Sequence, residues 1–225
     1  MRRVVQNLEG EYGVPVNERE LDTLDSLIET ILSQQNSSAS TRLVFAELKR
    51  RFPTWDKALE APVDDVEDAI RSGGLARMKA ARIKAILEAI HAERGDFDLG
   101  FLEAMHPEEA LAYLTRFPGV GPKTARCTLL FSCEMDLFPM DVHIFRILER
   151  LGVFPPKTPD ERAHRIAAEL IPSGKHYSAH VNLIRHGRKV CRPTNPRCGA
   201  CCILDYCPTG QQRLLEDDAP ADPRW

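Results

Sequence analysis

The chain has 225 residues, of which 43% are hydrophobic and 28% are charged, with a formal net charge of −3 at pH 7. Such a chain is long enough for one large or two small domains with real cores, and its charge balance excludes a uniformly basic nucleic-acid-binding protein. A nucleic-acid partner would therefore have to meet a local basic face.

Three features of the chain predict a cytoplasmic protein, associated with the nucleoid if bacterial, without a membrane partner. No apolar run approaches the length of a membrane span, and residues 1–7 lack the apolar stretch of a signal peptide. The seven cysteines are an odd number, which is not the count of a disulfide framework. We also expect the protein to be a monomer.

Apolar residues recur at steps of three and four through most of the chain, which is the spacing of helices. Pro62, Pro107 and Pro159 mark the starts of further helical segments, because proline is tolerated in the first helical turn. No segment alternates apolar and polar residues between hairpin turns. The pattern predicts an all-α protein of about ten helices. The periodic residues include Leu21, Leu24, Leu27, Ile28, Ile31, Leu32, Leu43, Val44, Leu48, Ile83, Ile86, Leu87 and Ile90.

Residues 114–125, with the sequence LTRFPGVGPKTA, read as a helix, a tight turn and a second helix. Gly119 and Gly121 allow a sharp turn and a close approach to a ligand. Pro122 begins the second helix, whose unpaired N–H groups form a site for an anion such as a phosphate. Lys123 follows in the first turn, where the helix dipole favours a neutral, nucleophilic amine. On spacing alone, a plain helix connection and a solvated lysine are the commoner explanations.

A second motif, PMDVHIFR at residues 139–146, contains Asp141. An aspartate before a helix commonly accepts hydrogen bonds from the first N–H groups, so we expect Asp141 to cap a helix over residues 142–151. A carboxylate can also stabilise the positive charge that a sugar acquires when its glycosidic bond breaks. The residues by themselves leave both roles open.

Four cysteines near the C-terminus follow the spacing C-x6-C-x2-C-x5-C. Structural zinc usually takes two close pairs separated by a longer finger, whereas this run has one close pair with an arm on each side. The spacing favours a [4Fe–4S] cluster over zinc or a disulfide pair. Cys202 adjoins Cys201 and competes with it as the third ligand. The four cysteines are Cys191, Cys198, Cys201 and Cys207.

These three motifs, in this order, strongly resemble the endonuclease III family of DNA glycosylases. The resemblance runs from Leu21 to Cys207 and includes ILSQQ at residues 31–35 and GLARMKA at residues 74–80. It implies a helix-hairpin-helix DNA glycosylase fold, with a helical barrel lobe and a [4Fe–4S] cluster lobe. It also implies a base-excision-repair enzyme acting on double-stranded DNA, which removes damaged pyrimidines and cleaves abasic sites through a lysine Schiff base and β-elimination.

The resemblance also assigns roles to individual residues. Lys123 and Asp141 match the catalytic lysine and carboxylate. Gln35 matches the residue that fills the space of an extruded base, Leu75 the wedge in the opposite strand, and His143 a residue lining the same groove. The hairpin and nearby basic residues contact phosphate. The predicted DNA-contacting set is Gln35, Leu75, Lys79, Gly119, Gly121, His143 and Arg192, and the predicted cluster ligands are Cys191, Cys198, Cys201 and Cys207.

The predicted domains follow from the same resemblance. A helical barrel domain covers residues 16–135 and contains the helix-hairpin-helix at about 111–131. An iron–sulfur cluster domain joins residues 1–15 to residues 136–210. Residues 211–225 mix charge, alanine and proline, which is typical of a disordered tail.

Three residues depart from the family pattern, which often has an acidic residue near Ser38, a bulky residue at Ala76 and a threonine at Val142. They alter the mouth of the base pocket and leave the lesion spectrum open beyond damaged pyrimidines. One alternative is the related adenine glycosylase, which lacks the lysine and needs a catalytic glutamate where this chain has Ile31. A second alternative is a non-catalytic DNA-binding or redox-sensing module, which retention of Lys123 with Asp141 disfavours.

Overall fold

The computed structural model describes residues 1–18 and 21–217, and within them all regular structure is helical. The predicted all-α fold is confirmed. The described chain has twelve α-helices, and two of them, α4 and α5, are short. The helices are α1 Arg2–Tyr12, α2 Thr23–Ser33, α3 Ser38–Arg51, α4 Trp55–Glu60, α5 Val63–Ala69, α6 Ala76–Arg94, α7 Pro107–Thr115, α8 Pro122–Ser132, α9 Val142–Arg150, α10 Asp160–Leu170, α11 His176–Lys189 and α12 Pro208–Asp217.

The chain divides into two compact units. The central unit covers Arg19–Met135, and the terminal unit combines Met1–Glu18 with Asp136–Trp225, each as far as it is described. The predicted first boundary, between residues 15 and 16, lies three residues earlier than the one the structure has. No helix of the described chain has both the length and the apolar character needed to cross a membrane.

The central unit is built around α2, which packs against α3, α6 and α8. Its apolar face, including Leu27, Ile28 and Ile31, is fully buried, as the spacing of these residues predicts. Asp22 caps the start of α2 by accepting a hydrogen bond from the Asp25 amide at 2.8 Å. Burial of this face therefore fixes the position in which α2 ends, close to the loop that carries Gln35.

The terminal unit has its own core, formed where α1 packs against α11 and α11 packs against α9. Val5 and Leu8 of α1 are buried with Ile144 of α9 and Leu183 of α11. This packing explains how the first residues of the chain and its last third share one core, although they are distant in sequence.

The predicted disordered tail over residues 211–225 is wrong for its first part. Residues up to Asp217 belong to α12, which packs against two short 3₁₀ turns, Cys198–Ala200 and Leu204–Tyr206. Pro208 begins the helix, and Gln211 donates hydrogen bonds to the carbonyls of Leu204 and Asp205 at 3.2 and 3.1 Å. Composition alone did not show this docking. Residues 218–225 lie outside the described chain.

Candidate active site

The turn between α7 and α8 has the form of a helix-hairpin-helix. Phe117 and Val120 are buried and hold the turn against the central unit. Gly119 has a φ of 79°, which disfavours any residue with a side chain. A Cβ at Gly119 would also lie 2.6 Å from Nε of Arg82. Gly121 is different, because its φ of −85° is ordinary and a Cβ there would meet open space.

Lys123 is exposed in the first turn of α8, next to Pro122 at the helix start. The N-cap residue, Gly121, has no side chain with which to accept a bond from the first N–H groups. The helix start therefore offers backbone donors and a partial positive charge to an anion, with an accessible amine beside them.

A chain of hydrogen bonds ties the hairpin to α2 and α6. Arg82 donates to Oε1 of Gln34 at 3.1 Å, and Nε2 of Gln34 donates to Oγ1 of Thr124 at 3.3 Å. Thr124 directly follows Lys123 and is buried. Sequence reasoning assigned no role to Gln34 or Arg82. The requirement for glycine at position 119 was the only sequence signal of its close approach.

Gln35 and Leu75 share an unusual backbone conformation. Both are non-glycine residues with a left-handed backbone, with φ values of 58° and 53°, and both side chains are exposed. Such a conformation costs about 1–2 kcal/mol, so surrounding contacts must impose it. Gln35 follows the end of α2, and Leu75 immediately precedes α6. Each side chain is thus presented to solvent from a rigid helix terminus.

The predicted phosphate contact by Lys79 is wrong, because this side chain is 1% exposed. Its ammonium donates hydrogen bonds to the carbonyls of Leu32 at 2.8 Å and Gly73 at 3.0 Å. Burial lowers its pKa from the usual lysine value. A lysine so placed faces the interior of the central unit and has no access to a phosphate.

Asp141 caps α9, as predicted. Its Oδ1 accepts hydrogen bonds from the amides of His143 at 2.9 Å and Ile144 at 2.8 Å, so the cap does not use Oδ2. The preceding segment is fixed from two sides. The amide of Met140 donates to Nε2 of His164 at 3.2 Å, and Nδ1 of His180 donates to the carbonyl of Pro139 at 2.9 Å. The half-buried carboxylate is therefore held on a rigid base.

His143 packs on Gly187 of α11, where a Cβ would lie 2.8 Å from that of His143. Its Nδ1 accepts a hydrogen bond from Arg146 at 3.1 Å, since arginine can only donate. Arg146 also donates to the carbonyl of Cys191 at 2.8 Å. Sequence reasoning did not single out Arg146 as a link between α9 and the cysteine loop.

The four predicted cluster ligands line one cavity of about 320 Å³, counting the space open to solvent. Burial raises the pKa of Cys201 to about 11. Cys202 does not line the cavity, and burial together with the nearby Glu11 carboxylate raises the pKa of its thiol. None of the seven cysteines, all within the described residues, forms a disulfide bond in the structure. The lining cysteines are Cys191, Cys198, Cys201 and Cys207.

The spacing of these sulfurs bears on the choice between zinc and a cluster. Among the residues that the structure describes, no three His, Cys, Asp or Glu side chains are gathered closely enough to hold one metal ion. Zinc needs four ligands within about 2.3 Å of a single point. A [4Fe–4S] cluster is larger and takes one thiolate at each of its four irons. Four cysteine thiols around one cavity are the donor set that such a cluster takes.

Arg150 lines the cysteine cavity, and Arg192 directly follows Cys191 in the adjoining loop. Arg150, which sequence reasoning missed, donates to Sγ of Cys191 at 3.2 Å and to the carbonyl of Arg192 at 2.8 Å. Arg192 is half-buried and donates to the carbonyl of Asn195 at 3.3 Å, while its Nε is buried without a protein partner. Arg150 thus shapes the loop from which Arg192 projects.

Comparison with known proteins decides the family. A model of HhH-GPD superfamily base excision DNA repair proteins matches residues 28–173, which is more than half of the chain. The chain belongs to the HhH-GPD superfamily.

Individual relatives agree with this family. Endonuclease III of Sulfolobus acidocaldarius is 34% identical over 189 residues, which cover 81% of this chain and 80% of that protein. A protein of Arabidopsis thaliana named as a DNA glycosylase is 38% identical over 78% of this chain, which spans only 60% of that protein. The fold matches a non-covalent endonuclease III–DNA complex with a TM-score of 0.82 at 23% identity, covering 95% of this chain and 96% of that one. The recognition of an endonuclease III-like DNA glycosylase is confirmed.

The HhH-GPD match covers the two predicted catalytic residues but not the cysteine cavity. It includes the hairpin, Lys123 and Asp141, and it ends before Cys191. The cysteine cavity lies in the part of the chain that follows this match, in the loop after α11, the two 3₁₀ turns and the start of α12.

Proposed function

We propose that this protein is a bifunctional DNA glycosylase that removes oxidised pyrimidines from double-stranded DNA and cleaves the resulting abasic site through Lys123. The observation that carries the proposal is the exposed amine of Lys123 in the first turn of α8, immediately after the glycine hairpin. A neutral amine at this position is a nucleophile for C1′ of the deoxyribose.

In the proposed reaction, Nζ of Lys123 forms a bond to C1′ while the N-glycosidic bond breaks. The electron pair of that bond leaves with the base, which takes up a proton. Loss of a proton from the attached nitrogen and opening of the sugar ring give a Schiff base. Removal of a C2′ proton then expels the 3′ phosphate by β-elimination, which cuts the strand.

Asp141 is proposed to stabilise the positive charge that develops on the sugar as the base leaves. Its geometry supports a double role, since Oδ1 is used by the helix cap and Oδ2 is not. Because the segment before it is fixed through His164 and His180, the carboxylate needs little reorganisation during the reaction.

DNA is the proposed partner, and we expect the enzyme to act as a monomer. The N–H groups at the start of α8 would bind a phosphate, and Gln35 and Leu75 would fill the space of the extruded nucleotide. Their exposure on left-handed turns supports this role. His143 would line the groove beside Asp141, and Arg192 would meet phosphate from the cysteine loop.

Cys191, Cys198, Cys201 and Cys207 would hold a [4Fe–4S] cluster. The group would act structurally there, by tying the loop that bears Arg192 into one shape. The cavity lined by all four sulfurs supports this assignment, and the exclusion of Cys202 from its lining favours Cys201 as third ligand.

The adenine glycosylase alternative lacks its essential carboxylate. The position expected to carry a glutamate is Ile31 of α2, which is fully buried in the core of the central unit.

One assay distinguishes the proposed enzyme from the alternative of a non-catalytic DNA-binding module. Duplexes that each carry a single oxidised pyrimidine should be nicked by the unaltered protein and left intact by Lys123→Gln. Binding to all duplexes without nicking would support a DNA-binding module instead.

A further inference from the structure

Lys79 is among the largest fully buried side chains of the described protein. Within the described residues its ammonium has no carboxylate partner and is bound instead by the carbonyls of Leu32 and Gly73, at 2.8 and 3.0 Å. Burying a charge is costly unless polar groups replace the lost water. Retaining one here indicates that it connects two segments that apolar packing alone would not fix.

Both carbonyls belong to the ends of helical segments. Leu32 lies in the last turn of α2, and Gly73 ends the short 3₁₀ turn Arg71–Gly73. Carbonyls at such ends lack helical partners and carry the negative end of the helix dipole, so they suit a cation. One ammonium therefore donates hydrogen bonds to a free carbonyl at each of two helix ends that lie close together in the central unit.

These two ends lead directly to the two exposed left-handed residues. Gln35 follows Leu32 by three positions, and Leu75 follows Gly73 by two. The segments also touch elsewhere, since a Cβ on Gly73 would lie 3.2 Å from both γ carbons of Val44 and 3.5 Å from Nδ2 of Asn36. Gly73 thus packs closely on Val44 of α3 and lies near Asn36, the neighbour of Gln35, while Lys79 holds the two segments together through its two hydrogen bonds.

We propose that Lys79 is a positioning residue that sets the distance between Gln35 and Leu75. This inference rests on the proposed gap-filling role of these two side chains. Without the ammonium, the loops separate and fill the space of an extruded base less well. Base release then slows, while cleavage of a preformed abasic site changes little because it requires no base extrusion.

Lys84 provides a matched control on the same helix. Its ammonium also binds carbonyls at a helix end, those of Ala58 and Leu59 in the last turn of α4 and of Ala61 just after it, and this end leads to neither loop. Lys84→Met and Lys79→Met therefore remove the same kind of interaction from α6 at two different places.

The experiment compares single-turnover base release with abasic-site cleavage for both variants, and follows 2-aminopurine fluorescence beside the lesion as a measure of unstacking. Lys79→Met should lower the ratio of base release to abasic cleavage by about tenfold and reduce the fluorescence change. Lys84→Met should lose stability but keep the ratio, and Lys79→Arg should restore part of it. An unchanged ratio in Lys79→Met, or an equal loss in Lys84→Met, would overturn the proposal.

Three further variants complete the test. If Lys79→Met does not fold, Gly73→Ala tests the same spacing from the other side, because its new methyl group meets Val44 and would shift the segment whose carbonyl binds Lys79. A lowered ratio in Gly73→Ala supports the proposal, and an unchanged ratio overturns it.

Gln35→Ala and Leu75→Ala test the gap-filling role itself. If neither slows base release, that part of the proposed function fails. If both do and Lys79→Met does not, only the role of Lys79 fails.

Discussion

Arg82 of α6 lies across the hairpin turn at Gly119, so close that a Cβ on the glycine would meet its Nε at 2.6 Å. The same arginine donates to Gln34, which in turn donates to Thr124 beside Lys123. Hairpin conformation and lysine position are therefore coupled through the side chains of Arg82 and Gln34.

Gly119→Ala should destabilise the protein. The alanine would have to adopt a φ of 79° and would displace Arg82 from Gln34. We expect a loss of about 1–3 kcal/mol in the free energy of unfolding, measured by urea denaturation. Gly121→Ala is the control, since its backbone is ordinary and the space beside it is open. Equal stability of the two variants would contradict the coupling.

The variant Asp141→Asn should distinguish the helix-capping role of Asp141 from its proposed role in catalysis. Asparagine caps helices about as well as aspartate, so stability should change by less than about 0.5 kcal/mol. Turnover should fall by orders of magnitude because the negative charge is lost, whereas binding of damaged duplex should persist. Asp22→Asn, which alters the cap of α2, is the matched control and should retain activity. Normal turnover in Asp141→Asn would leave capping as the only role of this residue.

The cysteine cavity makes a prediction about metal content. Cys201→Ser should lose iron and acid-labile sulfide together, whereas Cys202→Ser should keep close to four iron and four sulfide ions per chain. The reason is that, of these two neighbouring cysteines, Cys201 lines the cavity and Cys202 does not. Iron and sulfide analysis of anaerobically purified protein measures both. Zinc in place of iron would show that the cluster assignment is wrong, and the opposite pattern would exchange the two cysteines.

The small residue that follows the wedge leads to a prediction about the relative rates of base release and abasic-site cleavage. Ala76, the first residue of α6, adds only a methyl group beside the exposed wedge Leu75. We expect base release from well-stacked lesions to be slow relative to abasic cleavage, and Ala76→Tyr to raise the ratio of the two rates. Assays on thymine glycol and abasic duplexes measure it. Equally fast turnover of both duplexes by the unaltered protein would show that the small residue is neutral.

The sequence predicted those parts of the site that depend on local structure. Proline and aspartate at helix starts indicated α8 and α9 and the cap by Asp141, because these effects act within one helical turn. Lys79 was misplaced because a lysine in a basic stretch is usually solvated, and its burial depends on carbonyls 47 and six residues away. Arg150 was missed for the same reason, since its partners in the cysteine loop are more than forty residues distant.

The most direct test of the proposed chemistry is to trap the covalent intermediate. Borohydride reduction of the protein on a duplex with one oxidised pyrimidine should leave DNA attached to the peptide containing Lys123, as mass spectrometry of the digest would show. Lys123→Gln should give no adduct while still binding the duplex, and Lys57→Gln, which removes an exposed lysine of α4, should trap normally. An adduct that persists in Lys123→Gln, or that maps to another amine, would contradict the account.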